Sequence, residues 1–545
     1  MATGGELLIT CLEAQGTDRV FCVPGESYLA VLDALHDSTI DTVVARQEGG
    51  AAMMAEADGK LTGRPGVCFV TRGPGATNAA AGVHVARQDS TPMVLFVGQI
   101  GRNMRGRGAF QEIDFSDMFN GVAKLALQIE SAERIPEVVS RAFAVAQQGR
   151  PGPVVIALPE DMLRDESSAP PCARVIPAEP APSKANIAHA HQLLFAAEKP
   201  VLILGGSAWT ADSAAMAQSW SLALGLPVAV QFRRQQLVPA EQANYAGDLG
   251  IGGNPDLVRL VRESDLIMLV GGRLSEIPSQ DFTLLDIPNP AQALIHVHPG
   301  AEELQRVYAP TLAINATPGA FLRAWGEPPA RPLPHRVTDA HGSFMTWSEP
   351  SPQQTPWVDM GQVICDLRSK LPPEAILTNG AGNYSSWLHR FFRFHGFGTQ
   401  VAPTSGSMGY GLPAAVAAKL RRPDSPVICL AGDGCFQMTC QELGTAAQSG
   451  ANVIVLVVDN GTYGTIRMHQ ERNYPRRVSA TDIVNPDFAA LGAAYGMFTR
   501  RVESNDAFGP AFDEALNAGR PALIHIRTDP EVLTPTTTIS ALRGD

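Results

Sequence analysis

Short apolar runs recur along the chain: DTVVARQE, GVCFVT and MVLFVGQ in its first third, PVLILGG, LIMLVGG and ALIHVH in the middle, PVICLAGDG and NVIVLVVDN in the last third. Each is bounded by Gly, Asp or another polar residue, and Ala-rich stretches with helical spacing lie between them. Runs that are apolar on both faces, rather than alternating, are the pattern of strands in parallel sheets covered by helices on both sides. The predicted class is therefore α/β, with three doubly wound parallel-sheet domains. Two stretches rich in Pro and small polar residues, 165–184 and 327–356, lose the periodicity and read as linkers. They leave domains at 1–164, 185–326 and 357–545. In open parallel sheets ligands sit beyond the carboxyl ends of the strands, where the Gly-rich segments of this chain fall.

Composition narrows the class. A chain of 545 residues has room for about three domains. Its 51 Gly and 42 Pro exceed ordinary usage and suit a turn-rich enzyme whose backbone meets ligands. A net charge of −12 argues against a polyanion partner, so nucleic acid is not expected. Eight Cys are scattered with no CxxC pair, which indicates neither a disulfide framework nor a zinc site. With no long apolar run and no basic leader at the start, a soluble, cytoplasmic protein without membrane partners is expected.

The most informative stretch begins where the strand VICLA runs into Gly432-Asp433-Gly434. A helical segment follows, and the strand VIVLVV then ends at Asp459-Asn460-Gly461. The 25 residues between Gly434 and Asn460 match one strand–helix–strand crossover, which sets two strand ends side by side. Asp433 and Asn460 then offer a carboxylate and an amide oxygen to a hard divalent ion such as Mg²⁺, which keeps phosphate oxygens and water in its shell. Gly432 and Gly434 admit close backbone approach, and the following helix start offers N–H groups to a diphosphate. Either piece alone reads as an ordinary strand-to-turn transition.

In this order and spacing the chain resembles the thiamine diphosphate enzymes, over its whole length. The resemblance implies Mg²⁺ held by Asp433, Asn460 and the carbonyl of Thr462, with Gly432, Gly434, Cys435, Tyr463, Gly464 and Thr465 around the cofactor. It makes 1–164 the pyrimidine-binding domain, 185–326 a central Rossmann-like domain, and 357–545 the diphosphate- and Mg-binding domain. Glu48, between a strand and an Ala/Met helix, reads by itself as a first-turn acid favoured by the helix dipole. The resemblance implies instead that it pairs with a pyrimidine nitrogen and promotes loss of the thiazolium C2 proton. It further implies that the GPGATN turn (73–78), with Asn78, lies beside the pyrimidine, that Pro24-Gly25 is the family's first strand-end turn, and that Gly382 and Asn383 meet the diphosphate. Met408, in TSGSMGYGLPA, would wedge between the two rings while the Gly406 carbonyl holds the amino group. In the family these contacts come from different subunits, so the resemblance implies a homodimer or homotetramer.

Members decarboxylate 2-oxo acids and differ in what the remaining fragment meets, a proton or a second carbonyl. The segment GAFQEID (108–114), with Lys124 following, resembles the acetolactate synthase segment in which Phe110 and Gln111 line the reaction centre. The adjacent His-His pair of simple 2-oxo acid decarboxylases has no counterpart here. A thiamine diphosphate- and Mg-dependent carboligase acting on a 2-oxo acid is the leading expectation. One alternative is a non-ligating decarboxylase with Glu26, which stands where pyruvate decarboxylases carry a catalytic Asp, as proton donor. Another is a non-catalytic thiamine diphosphate-binding protein, against which Glu48, Asp433 and Asn460 argue. His469 falls near the position of a Trp that selects the acceptor in anabolic acetolactate synthases. In the middle domain Leu204-Gly205-Gly206 and Gly271-Gly272-Arg273-Leu274 leave both a bound FAD and an empty nucleotide site open.

Overall fold

Three six-stranded parallel sheets carry the fold in a computed structural model that describes residues 1–328, 330, 332–353 and 355–544. Pro329, Arg331 and Gln354, within the second expected linker, and Asp545 lie outside the described residues. The first sheet contains β1 (Arg19–Cys22), β2 (Asp41–Val44), β3 (Gly66–Val70), β4 (Met93–Gln99), β5 (Leu125–Gln128) and β6 (Pro153–Pro159), ordered β2-β1-β3-β4-β6-β5. The second contains β7 (Pro200–Leu204), β8 (Val228–Gln231), β9 (Tyr245–Leu249), β10 (Leu266–Val270), β11 (Ala293–His298) and β12 (Leu312–Asn315), ordered β9-β8-β7-β10-β11-β12. The third contains β13 (Ile376–Asn379), β14 (Gln400–Val401), β15 (Val427–Gly432), β16 (Ile454–Asp459), β17 (Phe498–Val502) and β18 (Ala522–Arg527), ordered β14-β13-β15-β16-β18-β17. All eight apolar runs singled out in the sequence form strands, and the three parallel-sheet domains are present.

The strands form where side chains can be buried on both faces. Every residue of β4 is buried, and Phe96 stacks on Phe69 of β3 with ring centroids 4.8 Å apart. Each such side chain contributes about 1.5–3 kcal/mol by leaving water. The order of the second sheet places a switch point between β7 and β10, and the outer sheets have theirs at β1/β3 and β13/β15. Crevices for ligands open at such points.

Contacts divide the chain into two compact units: residues 1–178 with 412–422 and 439–451, and residues 179–411, 423–438 and 452–545. Within the first unit, Arg421 bonds Asp18 and Asp58, and Glu442 accepts the backbone N–H of Arg46. Stretch 165–184 runs mostly without regular structure, as expected of a linker. Stretch 327–356 does not. A helix, His335–Trp347, occupies its middle and buries Val337 and Phe344, whose ring meets Tyr245 edge-on at 4.7 Å. Met345 and Ala340 also pack against core residues, and His341 bonds the Tyr245 carbonyl, contacts that the Pro-rich flanks hide from a composition count. Among the described residues no helix is long and apolar enough to cross a membrane.

Candidate active site

In the second unit a cavity of about 280 Å³ opens beyond the carboxyl ends of the third sheet. Its walls bring together Gly382 and Asn383 after β13, Gly406 and Met408 after β14, and Gly432, Asp433, Gly434 and Cys435 after β15. Asn460, Thr462, Tyr463, Gly464 and Thr465 after β16 complete the set. Every residue expected at the diphosphate and metal end therefore lines one space. Parallel register puts these loops together: Gly432 pairs with Val458, so β15 and β16 end level.

Asp433 is buried; its Oδ1 accepts the N–H of Gly434 at 2.8 Å, and its Oδ2 accepts that of Gly461 at 2.9 Å and the amide of Asn485 at 2.7 Å. Burial, reinforced by the charge of Asp459, holds its carboxyl above the usual carboxylate range despite those hydrogen bonds. A buried carboxylate so placed, with no cationic side chain on it among the bonds just given, suits a cation. The amide oxygen of Asn460 and the carbonyl of Thr462 supply the further hard oxygens that Mg²⁺ prefers. The Thr462 carbonyl also accepts the N–H of Gly464 at 2.8 Å, which leaves its second lone pair for an ion.

Beneath Asp433 lies a second carboxylate, Asp459. Burial alone would raise its proton affinity, but hydrogen bonds from His525 at 2.7 Å, Arg527 at 2.6 Å and Asn485 at 2.8 Å prevail and hold it below the usual range. One amide nitrogen of Asn485 thus bridges Asp433 and Asp459. Sequence reading missed Asn485, because Asn485-Pro486-Asp487 looks like a turn entering a helix.

The remaining wall residues brace one another. The Cys435 Sγ accepts from the Tyr384 hydroxyl and the Gly409 N–H, both at 3.2 Å, linking three loops. The Asn383 N–H donates to Thr465 Oγ1 at 3.0 Å, and that hydroxyl donates to Asn383 Oδ1 at 2.9 Å. Gly406 adopts φ +67°, which turns the chain just before Met408. His469 is exposed on the helix Gly464–Asn473.

In the first unit Glu48 opens the helix Glu48–Thr62, which the Gln47 side chain caps by accepting from Gly50 N at 3.1 Å. The Asn78 amide donates to Glu48 Oε2 at 2.9 Å and fixes the carboxylate. The loops ending β1 and β3 interlock. A Cβ on Gly25 would lie 2.4 Å from Thr71 Cβ, and Ser27 bonds Thr71 at 2.8 Å. Pro24 is exposed, and Glu26 Oε1 accepts the buried Arg72 guanidinium at 2.8 Å. Gln111 adopts φ +64° against Gly73, whereas Phe110 is 74% exposed. Lys124 donates to the Arg150 carbonyl at 2.8 Å, a structural tie.

Family comparison agrees in order and extent. The family descriptions that match are thiamine pyrophosphate enzyme N-terminal TPP binding domain over residues 2–118, central domain over 187–325, and C-terminal TPP binding domain over 380–526. The acetolactate synthase isozyme 2 large subunit of Escherichia coli (strain K12) is 30% identical, covering 96% of this chain and 95% of that protein. A probable acetolactate synthase large subunit of Methanococcus aeolicus is 30% identical over 97% of this chain and 92% of its own. The acetolactate synthase large subunit of Parasynechococcus marenigrum (strain WH8102) is 31% identical over 96% and 88%.

Proposed function

Since the chain belongs to the thiamine pyrophosphate enzymes, we propose that it is a Mg²⁺- and thiamine diphosphate-dependent carboligase acting on a 2-oxo acid, as the names of its acetolactate synthase relatives suggest. Bound thiamine diphosphate would supply the nucleophilic carbon that adds to the 2-oxo acid and takes up the electrons left as CO₂ departs. Asp433, Asn460 and the Thr462 carbonyl would hold the ion, and the loops at 382–383 and 432–435 the diphosphate. Met408 offers an apolar surface for the rings. Glu48, oriented by Asn78, would hold a proton at the pyrimidine nitrogen.

The observation that favours ligation over simple decarboxylation is the ion pair of Glu26 with Arg72 at 2.8 Å. A proton donor has to reach the reacting carbon, and this carboxylate is committed to a guanidinium. With Glu26 so engaged, protonation of the decarboxylated fragment by this group requires the ion pair to open first, which favours attack on a second carbonyl. Intact Glu48, Asp433 and Asn460 support turnover rather than a silent binding protein. The test is incubation of the reconstituted enzyme with pyruvate and a panel of other 2-oxo acids, with products identified by mass spectrometry. Acetolactate, acetoin or another ligated product is expected; aldehyde alone would overturn the reading.

A further inference from the structure

The segment 231–236, which leaves β8, faces two ways. On one side it fills the crevice at the switch point between β7 and β10, where an open sheet with this strand order takes a nucleotide. The Gln231 amide sits between the two Gly pairs. A Cβ on Gly205 would lie 2.0 Å from Gln231 Oε1, and one on Gly272 would lie 2.1 Å from the same atom. Gln231 Nε2 donates to the Arg273 carbonyl at 2.6 Å, and Arg234 Nε to the Gly206 carbonyl at 2.7 Å. The Gly pairs also touch each other, since a Cβ on Gly206 would stand 1.9 Å from the Gly271 carbonyl oxygen. In nucleotide-binding sheets the glycines at these positions let a pyrophosphate approach the backbone; here the chain itself occupies that space. As arranged, these residues do not offer the open glycine backbone that the pyrophosphate of FAD would need.

On its other side the same segment grips the loops that lead into the cofactor cavity. Arg233 is buried, donates through Nη2 to the Gly380 carbonyl at 2.8 Å, and bonds the Pro403 carbonyl through Nη1. Gly380 begins the loop carrying Gly382 and Asn383, and Pro403 the loop carrying Gly406 and Met408. Gln235 donates to the His389 carbonyl at 2.6 Å and exchanges hydrogen bonds with the Gln400 side chain. Gln236 Oε1 accepts the N–H of Gly398 at 2.7 Å. Arg233 has φ +59°, a left-handed conformation that a non-Gly residue keeps only when its surroundings over-determine it. Its neighbours supply that constraint.

We propose that 231–236 is a strap which closes the central crevice to nucleotides and makes Arg233 a positioning residue for the two loops that bound the diphosphate end of the cavity. The strap couples the central sheet to the cofactor loops: one guanidinium bonds the Gly380 and Pro403 carbonyls, at the starts of the loops that carry Asn383 and Met408. This proposal rests on the thiamine diphosphate reading of that cavity, and the test separates the two. Cofactor binding is followed by quenching of tryptophan fluorescence, since Trp387 lines the cavity, with Mg²⁺ present, for the full-length protein, Arg233→Met, Arg233→Lys and Asp433→Ala.

Arg233→Met is expected to bind thiamine diphosphate on the order of 10- to 100-fold more weakly, as when an outer-shell partner is lost, while keeping most of its kcat at saturating cofactor. Arg233→Lys should recover part of the affinity, because an ammonium reaches one carbonyl but not both. Unchanged affinity in Arg233→Met would overturn the proposal, as would an equal fall in kcat and affinity without rescue in Arg233→Lys. If Arg233→Met does not fold, the affinity of Arg233→Lys relative to the unaltered protein decides. Failure of the unaltered protein to bind, or unchanged binding in Asp433→Ala, would instead count against the cavity assignment. Protein incubated with excess FAD and then desalted should show no flavin absorbance; stoichiometric retention would overturn the closed crevice.

Discussion

At the scale of single residues, the base of the cavity depends on an amide. Asn485 joins Asp433 to Asp459, so Asp433 is held by a group 52 residues away in sequence. Asn485→Ala should weaken Mg²⁺-supported cofactor binding about 10-fold, in keeping with the loss of an outer-shell partner. A Mg²⁺ titration read by fluorescence would show it, and unchanged half-saturation would remove Asn485 from the site. Glu48→Gln should slow exchange of the cofactor's C2 proton by about 10²–10⁴-fold, the range of a lost acid–base group, as read by NMR in deuterium oxide. Glu26→Gln should leave the ratio of ligated product to aldehyde unchanged, because the carboxylate is engaged by Arg72; a fall in aldehyde would revive Glu26 as proton donor. That Asp433 and Asn460 stand at neighbouring strand ends was legible from spacing, since one crossover unit sets two strand ends side by side; their assignment to a metal came from the family resemblance. Asn485 was not, because nothing local to Asn485-Pro486-Asp487 marks which carboxylates it will face.

At the scale of elements, the helix Gly411–Arg421 ends on a double ion pair. Arg421 donates to both oxygens of Asp18 and of Asp58, and Asp58 is buried. The Arg421 hydrogen bond draws Asp18 down to about 2, against the opposing effect of burial. A depressed carboxyl lends stability above its unfolded value, near about 3.9, and that stability is lost as pH falls from about 4 toward 2. Arg421→Met should flatten this acid limb, and by stranding Asp58 cost about 3–5 kcal/mol at neutral pH. Thermal midpoints measured from pH 2 to 7 test both; an unaltered limb would show that other carboxylates dominate acid sensitivity. The strands were readable because burial on both faces leaves continuous apolar runs. The helix His335–Trp347 was not, because it fully buries only Val337 and Phe344, too few to show a periodic apolar stripe.

At the scale of the molecule, the residues expected around the pyrimidine, Glu48 and Asn78, belong to the first contact unit, and those expected around the diphosphate to the second. The family reading assembles such sets between subunits. The protein is expected to sediment as a homodimer or homotetramer and to lose specific activity on dilution below its assembly constant. Full activity in a species that sediments as a monomer would refute this.

The sequence by itself determined the three parallel sheets, the Gly-rich strand ends and the meeting of Asp433 with Asn460, because these follow from local periodicity and from the fixed length of a crossover. It also carried the family, through motifs whose order survives at about one identity in three. Only the tertiary structure decided that Gln231 fills the central crevice, that Arg72 engages Glu26 and that Arg233 spans two cofactor loops. Each of these depends on where a long polar side chain finds its partner across elements far apart in sequence. Desolvation makes such a partner obligatory for a buried polar group, but no local pattern says which one it will be.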